Sequence, residues 1–272
     1  MAKSTKPLKI ACQMDPIEKI DIRGDSTFAL LLEAQARGHE LFYYLPQTLT
    51  LDGTVLKATG SDIRVKDVVG EHVTIGKPKT VDLSTFDVVL LRQDPPFDLA
   101  YITTTHLLER IHPKTLVVND PKEVRNAPEK LWVLDFPDLM PPTLVTRDMA
   151  AIKAFRDVHK DIIVKPLFGN GGAGVFRIQP NDTNLGSLFE LYTTMTRDPL
   201  MVQQYRPEVR AGDKRVILID GEPIAGLNRV PAADETRSNL HVGGTPKATD
   251  LTARELEICA RLGPELKRRG LI

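Results

Sequence analysis

The segment Lys165-Pro-Leu-Phe-Gly-Asn-Gly-Gly-Ala-Gly174 is the part of this 272-residue sequence best suited to chemistry. Glycines at 169, 171, 172 and 174 let a backbone take positive φ and approach an anion closely. The lysine ahead of them adds a point charge, so the chemistry served is phosphate binding. Apolar runs of β character flank the loop on both sides, whereas Walker and dinucleotide loops open a helix. A plain mobile hairpin is the competing reading.

Further along, Gln203-Gln204-Tyr205 ends another apolar run. Alone it is an ordinary strand end, but beside a phosphate loop its backbone becomes a candidate purine-binding hinge. In Arg210-Ala-Gly-Asp-Lys-Arg215, Asp213 is placed to accept from a ribose hydroxyl and Arg215 to project from a strand, against the alternative of a polar turn. Arg229 and Arg237 bracket a polar loop that also holds Asn239, a pattern suited to clamping phosphates or a carboxylate. Upstream, Leu91-Arg-Gln-Asp-Pro-Pro-Phe-Asp98 places Arg92, Asp94 and Asp98 where a buried strand ends, the usual ligand side of open α/β sheets. No Gly-x-Ser-x-Gly elbow is present, and the six histidines lack ligand spacing. Cys12 and Cys259 form no CxxC or His/Cys pattern, so no zinc site is readable.

These groups need elements to hold them. Leu8–Met14 reads as a buried strand, followed by a helix capped at Asp25-Ser26 and stopped by Gly38, then a strand over 40–45. Strands at Val88–Leu91 and 116–118 flank a helical stretch, Tyr101–Ile111, which indicates an α/β layer. Residues 49–69, with an Asp52-Gly53 turn, read as a decorating hairpin or loop. From Glu129 the texture becomes mixed. Helices are expected over 129–136, Met149–His159, 184–197 and 252–269, with strands at 144–145, 161–165, 175–179, 200–205 and 215–219. Asp220-Gly221 turns into a strand over 224–230. Leu271-Ile272 reads as the start of another strand.

Lys plus Arg and Asp plus Glu are both 36, so the net charge is zero, which disfavours a nucleic-acid partner. The polar N-terminus lacks a signal-peptide core, and no run reaches the ~18–20 apolar residues of a membrane span. A cytoplasmic protein without a membrane partner is expected.

In order along the chain, the motifs resemble the bacterial glutathione synthetase family of ATP-grasp ligases. The resemblance rests on Met14-Asp-Pro-Ile17, Arg92-Gln-Asp-Pro-Pro-Phe97, Asn119-x-Pro121, Glu129-Lys-Leu131, Thr143-Leu-Val-Thr146, Lys165-Pro-Leu through Ala173, Gly212-Asp-Lys-Arg215, Asp220-Gly-Glu-Pro223, Glu235-Thr-Arg237 and Gly263-Pro264. It implies an α/β (α+β) chain: an ATP-grasp fold preceded by a Rossmann-like N-terminal domain. The implied domains are 1–122 (substrate), 123–200 (lid) and 201–272 (C-terminal ATP-grasp). It further implies ATP-dependent ligation of γ-glutamylcysteine to glycine through an acyl phosphate.

By the same resemblance, Lys130, Lys165, Gly169, Asn170, Gly171, Gly172 and Ala173 meet the phosphates, Gln203, Gln204 and Tyr205 the adenine, and Asp213 the ribose. Arg215 and Arg229 take the reacting phosphate, with Arg92, Asp94, Arg237 and Asn239 at the γ-glutamylcysteine site. Mg2+, or Mn2+ in its place, accompanies ATP. The family's metal ligands follow the Gly-Leu-Ile segment, so none is named here; a longer native chain and impaired catalysis are expected on that ground. Homo-oligomers, dimers or tetramers, are also implied. The alternatives are another ATP-grasp carboxylate–amine ligase, a nucleotide-binding protein without turnover, and a Rossmann oxidoreductase. The last lacks its glycine fingerprint after the first strand.

Overall fold

In the computed structural model, which describes residues 6–231 and 245–272, the chain divides into two units. One comprises residues 1–126 with 268–272, and the other residues 127–267.

The first unit is built on β1 (Lys9–Gln13), α1 (Ser26–Ala36), β2 (Glu40–Asp52), β3 (Val55–Val65), β4 (Val73–Ile75), β5 (Lys79–Asp82), β6 (Val88–Leu91), α2 (Leu99–Glu109), β7 (Leu116–Val118) and α3 (Pro121–Asn126). Its sheet runs β4-β3-β2-β1-β6-β7, with β5 also paired to β3. The four strands β2, β1, β6 and β7 are mutually parallel. Successive β1 side chains face opposite sides of the sheet. Ile10 and Cys12 therefore join Phe28 and Leu31 of α1, while Ala11 joins Phe42, Val89 and Leu108 of α2 on the other face. A strand covered on both faces is apolar where it is covered, which is why Ile10–Cys12 reads as an apolar run.

Both helices start where an aspartate can satisfy an orphan amide. Asp25 accepts from Phe28 N at 2.7 Å, and Asp98 accepts from Tyr101 N at 2.9 Å. The chain leaves β1 towards β2 on one side and later returns as β6 on the other. The carboxyl ends of β1 and β6 thus flank the point where strand order reverses.

The segment expected as a decorating hairpin or loop is a hairpin turning after Asp52, but its strands belong to this sheet rather than decorating it. β2 continues to Asp52 and β3 pairs back along it, with the register shifting between Tyr44 and Leu49 around Pro46. Proline lacks the N–H that a regular ladder would need there. β4 and β5, two short strands without a clear alternating pattern, also escape sequence reading. Leu271-Ile272 forms no strand; Ile272 N donates to Asn119 Oδ1 at 2.9 Å, and Asp120 N donates to the Gly270 carbonyl at 3.1 Å.

The second unit holds α4 (Glu129–Trp132), β8 (Thr143–Thr146), α5 (Met149–His159), β9 (Ile162–Pro166), β10 (Phe176–Ile178), α6 (Leu185–Met195), β11 (Leu200–Gln204), β12 (Asp213–Ile219), β13 (Glu222–Val230), β14 (Thr245–Ala248) and most of α7 (Ala253–Arg268). A four-stranded antiparallel sheet, β10-β9-β11-β8, packs Ile162, Val164, Leu200 and Val202 against Ile152 of α5 and Leu185, Leu188 and Tyr192 of α6. A second antiparallel sheet runs β12-β13-β14. Asp220 (φ 51°) and Gly221 (φ 82°) make its first turn, as the Asp-Gly pair implies.

The helix expected over 129–136 lasts one α turn and gives way to short 3-10 turns at 133–135 and 137–139. Phe136 precedes Pro137, and a residue before proline is driven out of the α region; its φ is −126°. Helix α7 opens on a capping box. Glu255 N donates to Thr252 Oγ1 at 3.3 Å, and Thr252 N donates to Glu255 Oε2 at 2.7 Å. Among the described residues, no helix is long and apolar enough to cross a membrane.

Candidate functional site

The glycine-rich loop leaves the end of β9 and returns into β10, antiparallel neighbours in one sheet. Gly171, Gly172 and Gly174 have φ of 62°, 80° and 68°, a region that a Cβ makes costly. Inside the loop, Ala173 N donates to the Asn170 carbonyl at 3.1 Å. Phe168, Gly169, Asn170 and Ala173 are exposed, leaving the loop tip open to a ligand.

Two lysines meet at the base of this loop. Lys130, on α4, donates to the carbonyls of Leu167 (3.2 Å) and Gly169 (2.8 Å) and pairs with Glu129 at 2.9 Å. Lys165, on β9, donates to Gln203 Oε1 at 2.7 Å, and Gln203 Nε2 donates to Thr143 Oγ1 at 2.8 Å. Lys165 lies opposite Met201 in the ladder, so Gln203 is its diagonal neighbour on the same sheet face. Burial, reinforced by the positive charge of Lys130, lowers the Lys165 ammonium to about 8. A half-buried lysine of depressed pKa beside a second lysine and a loop of positive-φ glycines is suited to receiving a polyanion.

At the exit of β11, Gln204 is half-buried and Tyr205 is buried. Tyr205 N donates to the Asp161 carbonyl at 2.9 Å. The Arg177 guanidinium lies 3.9 Å from the Tyr205 ring centroid and forms a forked pair with the Asp161 carboxylate at 2.5–3.1 Å. Neither Asp161 nor Arg177 was expected at a site; each looks like an ordinary strand charge until the pairing of β9 with β10 brings them together. Asp213, at the start of β12, accepts both ends of the Arg229 guanidinium at 2.7 Å. That pairing follows from register, since Asp213 lies directly opposite Arg229. Arg215 is exposed, two residues further along the same strand. Arg237 and Asn239 lie outside the described residues.

In the first unit, the carboxyl ends of β1 and β6 bring a second polar group together. Arg92 donates to Thr27 Oγ1 at 2.9 Å and to Ser26 Oγ at 2.7 Å, which fixes it over the start of α1. Asp94 N donates to Asp15 Oδ2 at 2.6 Å. The fully buried Gln13 donates to Gln93 Oε1 at 2.6 Å. Tyr101 is close enough that the Arg92 charge opposes the burial that raises its phenol pKa. Sequence reading found Arg92 and Asp94 but not Gln13 or Gln93, whose pairing spans 80 residues. The only available signal was a glutamine closing the apolar run Ile10–Cys12.

The described residues offer no set of three histidine, cysteine or carboxylate side chains arranged to hold a metal. At the base of the glycine loop stand Lys130 and Lys165, with the Glu129 carboxylate paired to Lys130, and on β12 the Asp213 carboxylate is engaged by Arg229. This donor chemistry does not fit a divalent cation.

Comparison with known proteins agrees with the geometry. Residues 8–125 match the family model for the N-terminal domain of prokaryotic glutathione synthetase, and residues 129–272 match that for its ATP-grasp domain. The glutathione synthetase of Bradyrhizobium diazoefficiens is 60% identical over 97% of this chain and 84% of its own length. That of Salmonella typhimurium is 43% identical over 97% and 85%. Among solved structures, the D-cycloserine synthetase DcsG superposes with a TM-score of 0.64 at 18% identity, covering 96% of this chain and 82% of its own. The Vibrio cholerae D-alanyl-alanine synthetase A reaches 0.55 at 12% identity, covering 98% and 82%. These structural likenesses speak for the ATP-grasp fold alone. With both halves of the sequence matched and identity this high over nearly all of it, the chain belongs to the prokaryotic glutathione synthetase family.

Proposed function

We propose that this ATP-dependent ligase joins γ-glutamylcysteine to glycine, releasing ADP and phosphate. The observation that carries the reading is the convergence of Lys130 and Lys165 on a glycine loop within a chain matched end to end by one ligase family. A carboxylate oxygen of γ-glutamylcysteine attacks the γ-phosphorus of ATP, and the bond to ADP breaks. The free amine of glycine then attacks the acyl carbon, phosphate leaves with the carbonyl–oxygen bond pair, and the amine proton passes to solvent. Phosphoryl transfer needs positioning and neutralisation of spreading negative charge more than it needs a protein nucleophile.

In this reading, Lys130, Lys165 and the backbone of 169–173 take the phosphates. Phosphate oxygens replace the carbonyls that Lys130 now contacts. Gln203, Gln204 and Tyr205 frame the adenine, Asp213 meets the ribose, and Arg215 and Arg229 face the transferred phosphoryl group. Arg92, Asp94, Arg237 and Asn239 receive γ-glutamylcysteine, with Arg92 aimed by Ser26 and Thr27. Functionally the chain reads as a substrate domain (1–122), a lid (123–200) and a C-terminal nucleotide domain (201–272). Family members use ATP with Mg2+, and no step is assigned to the metal because the described side chains do not fit it. A cytoplasmic homodimer or tetramer completes the proposal; sedimentation equilibrium reads the oligomer.

The direct test is ADP release with ATP, Mg2+ and γ-glutamylcysteine, with and without glycine. Turnover that needs both acceptor and dipeptide, with glutathione recovered, is the expected result. Turnover supported by D-alanine or a longer peptide in place of these substrates would move the chain to another ATP-grasp specificity.

A further inference from the structure

The glycine loop is held at both ends, and the two fastenings differ in kind. At its start, Lys130 donates to the carbonyls of Leu167 and Gly169. An ammonium can leave a carbonyl for a phosphate oxygen, because a charge-assisted bond to an anion is the stronger of the two. At its end, the Tyr192 hydroxyl donates to the carbonyl of Gly174. Tyr192 is 7% exposed, and its ring is set in the α5–α6 core and edge-on to Phe176, 6.1 Å between centroids. Burial raises its phenol to about 12, so the hydroxyl remains a donor throughout the neutral range. Both loop stems also close on the Pro166 ring: a Cβ at Gly169 or at Gly174 would lie 3.3 Å from it.

We propose that Tyr192 is a positioning residue for the phosphate loop, a permanent anchor of its Gly174 end. On this view Lys130 is the exchangeable fastening that nucleotide draws away. The loop then reorganises only between residues 168 and 173 while its return into β10 stays registered. The inference rests on the nucleotide-binding reading above and adds to it a residue in α6, outside every motif that carried that reading.

Tyr192→Phe keeps the ring and deletes the hydroxyl, leaving the Gly174 carbonyl without that donor. A neutral hydrogen bond of this sort corresponds to about a three- to tenfold change in an equilibrium. The variant is therefore expected to raise KM for ATP by about three- to tenfold, with KM for γ-glutamylcysteine unchanged. Amide hydrogen exchange over 174–176 should accelerate in both the free and ADP-bound protein. Phe176→Leu, which disturbs the ring contact but spares the hydroxyl, should lower the melting temperature while leaving KM for ATP in place. In the unaltered protein, 174–176 should exchange more slowly than 170–173 before nucleotide is added.

Unchanged KM for ATP and unchanged exchange in Tyr192→Phe would overturn the proposal. So would equal KM changes in the two variants, or equal exchange of the two segments in the unaltered protein. Should the unaltered protein fail to bind ADP at all, the nucleotide reading falls instead, which the exchange comparison without ligand keeps separate.

Discussion

At the scale of single residues, the site is governed by charges held out of water. Lys165 releases its proton near 8 in the folded chain, whereas an unfolded lysine does so near ~10.4. Between those values the unfolded chain binds more protons, so this residue makes stability rise with pH across that window. Its protonated form is a standing cost at neutrality, one that a bound polyanion relieves. Nucleotide binding at pH 9 should therefore take up about one proton. Calorimetry in two buffers of different ionisation enthalpy reads this directly, and Lys165→Gln should abolish the difference; identical enthalpies for the unaltered protein would refute the coupling. The Asp213–Arg229 pair offers a second case. The Arg229 side chain is 13% exposed, so Asp213→Ala strands a largely buried cation and should cost about 1–3 kcal/mol in urea unfolding. Loss of nucleotide affinity should accompany it. Lys130, Lys165 and Asp213 were all legible as residues, but what each touches was not. Lys165 meets Gln203 only because β9 and β11 pair in one register, and a sequence carries no direct record of register between strands far apart.

Elements account for the rest of the geometry. The start of α1 could be read because its cap, Asp25, acts within one turn; Asp98 and the Thr252–Glu255 box are equally local, but they emerged as caps only in the structure. Thr252→Ala should accordingly cost about 0.5–2 kcal/mol, seen as a lower denaturation midpoint. Turns with left-handed residues were legible for the same reason. Gly212, at φ 117°, is a sharper instance: a Cβ there would lie 2.5–2.8 Å from the Asn228 side chain. Asn228 in turn donates to the Ala211 carbonyl at 3.2 Å. Gly212→Ala therefore combines backbone strain with a clash beside Asp213. It should destabilise by more than the ~1 kcal/mol of an ordinary glycine replacement and weaken nucleotide binding; a fluorescent ATP analogue would register the change. Failures occurred where an element depends on a distant partner. The 49–69 segment reads as an excursion because nothing local says that β3 will also carry β4 and β5. The helix at 129–136 was overread: α4 stops at Trp132, and Pro137 keeps Phe136 out of the α region beyond the 3-10 turn at 133–135.

Across the whole molecule, apolar burial is divided between cores that lie within the two units. Cys12 is fully buried in one of them, and Cys259 is 4% exposed on α7. Burial pushes the Cys12 thiol up to about 12, against the lowering pull of Arg92. Thiolate is the reactive species, so a disulfide reagent should label neither cysteine appreciably in the native protein and both after denaturation. Rapid native labelling at Cys12 would mean that the β1–β6 core opens readily. At this scale the sequence by itself determined the class of the fold, the order of most elements and the glycine loop, because periodicity, caps and glycine spacing are local properties that survive without coordinates, and its ordered motifs carried the resemblance to the family. Tertiary structure alone decided the partners. Strand pairing set Lys165 beside Gln203 and Asp213 opposite Arg229, while packing put Arg177 against the Tyr205 ring and brought the Tyr192 hydroxyl of α6 to Gly174. Such contacts depend on register and on the packing of elements far apart in the chain, and neither is written in the spacing of neighbouring residues.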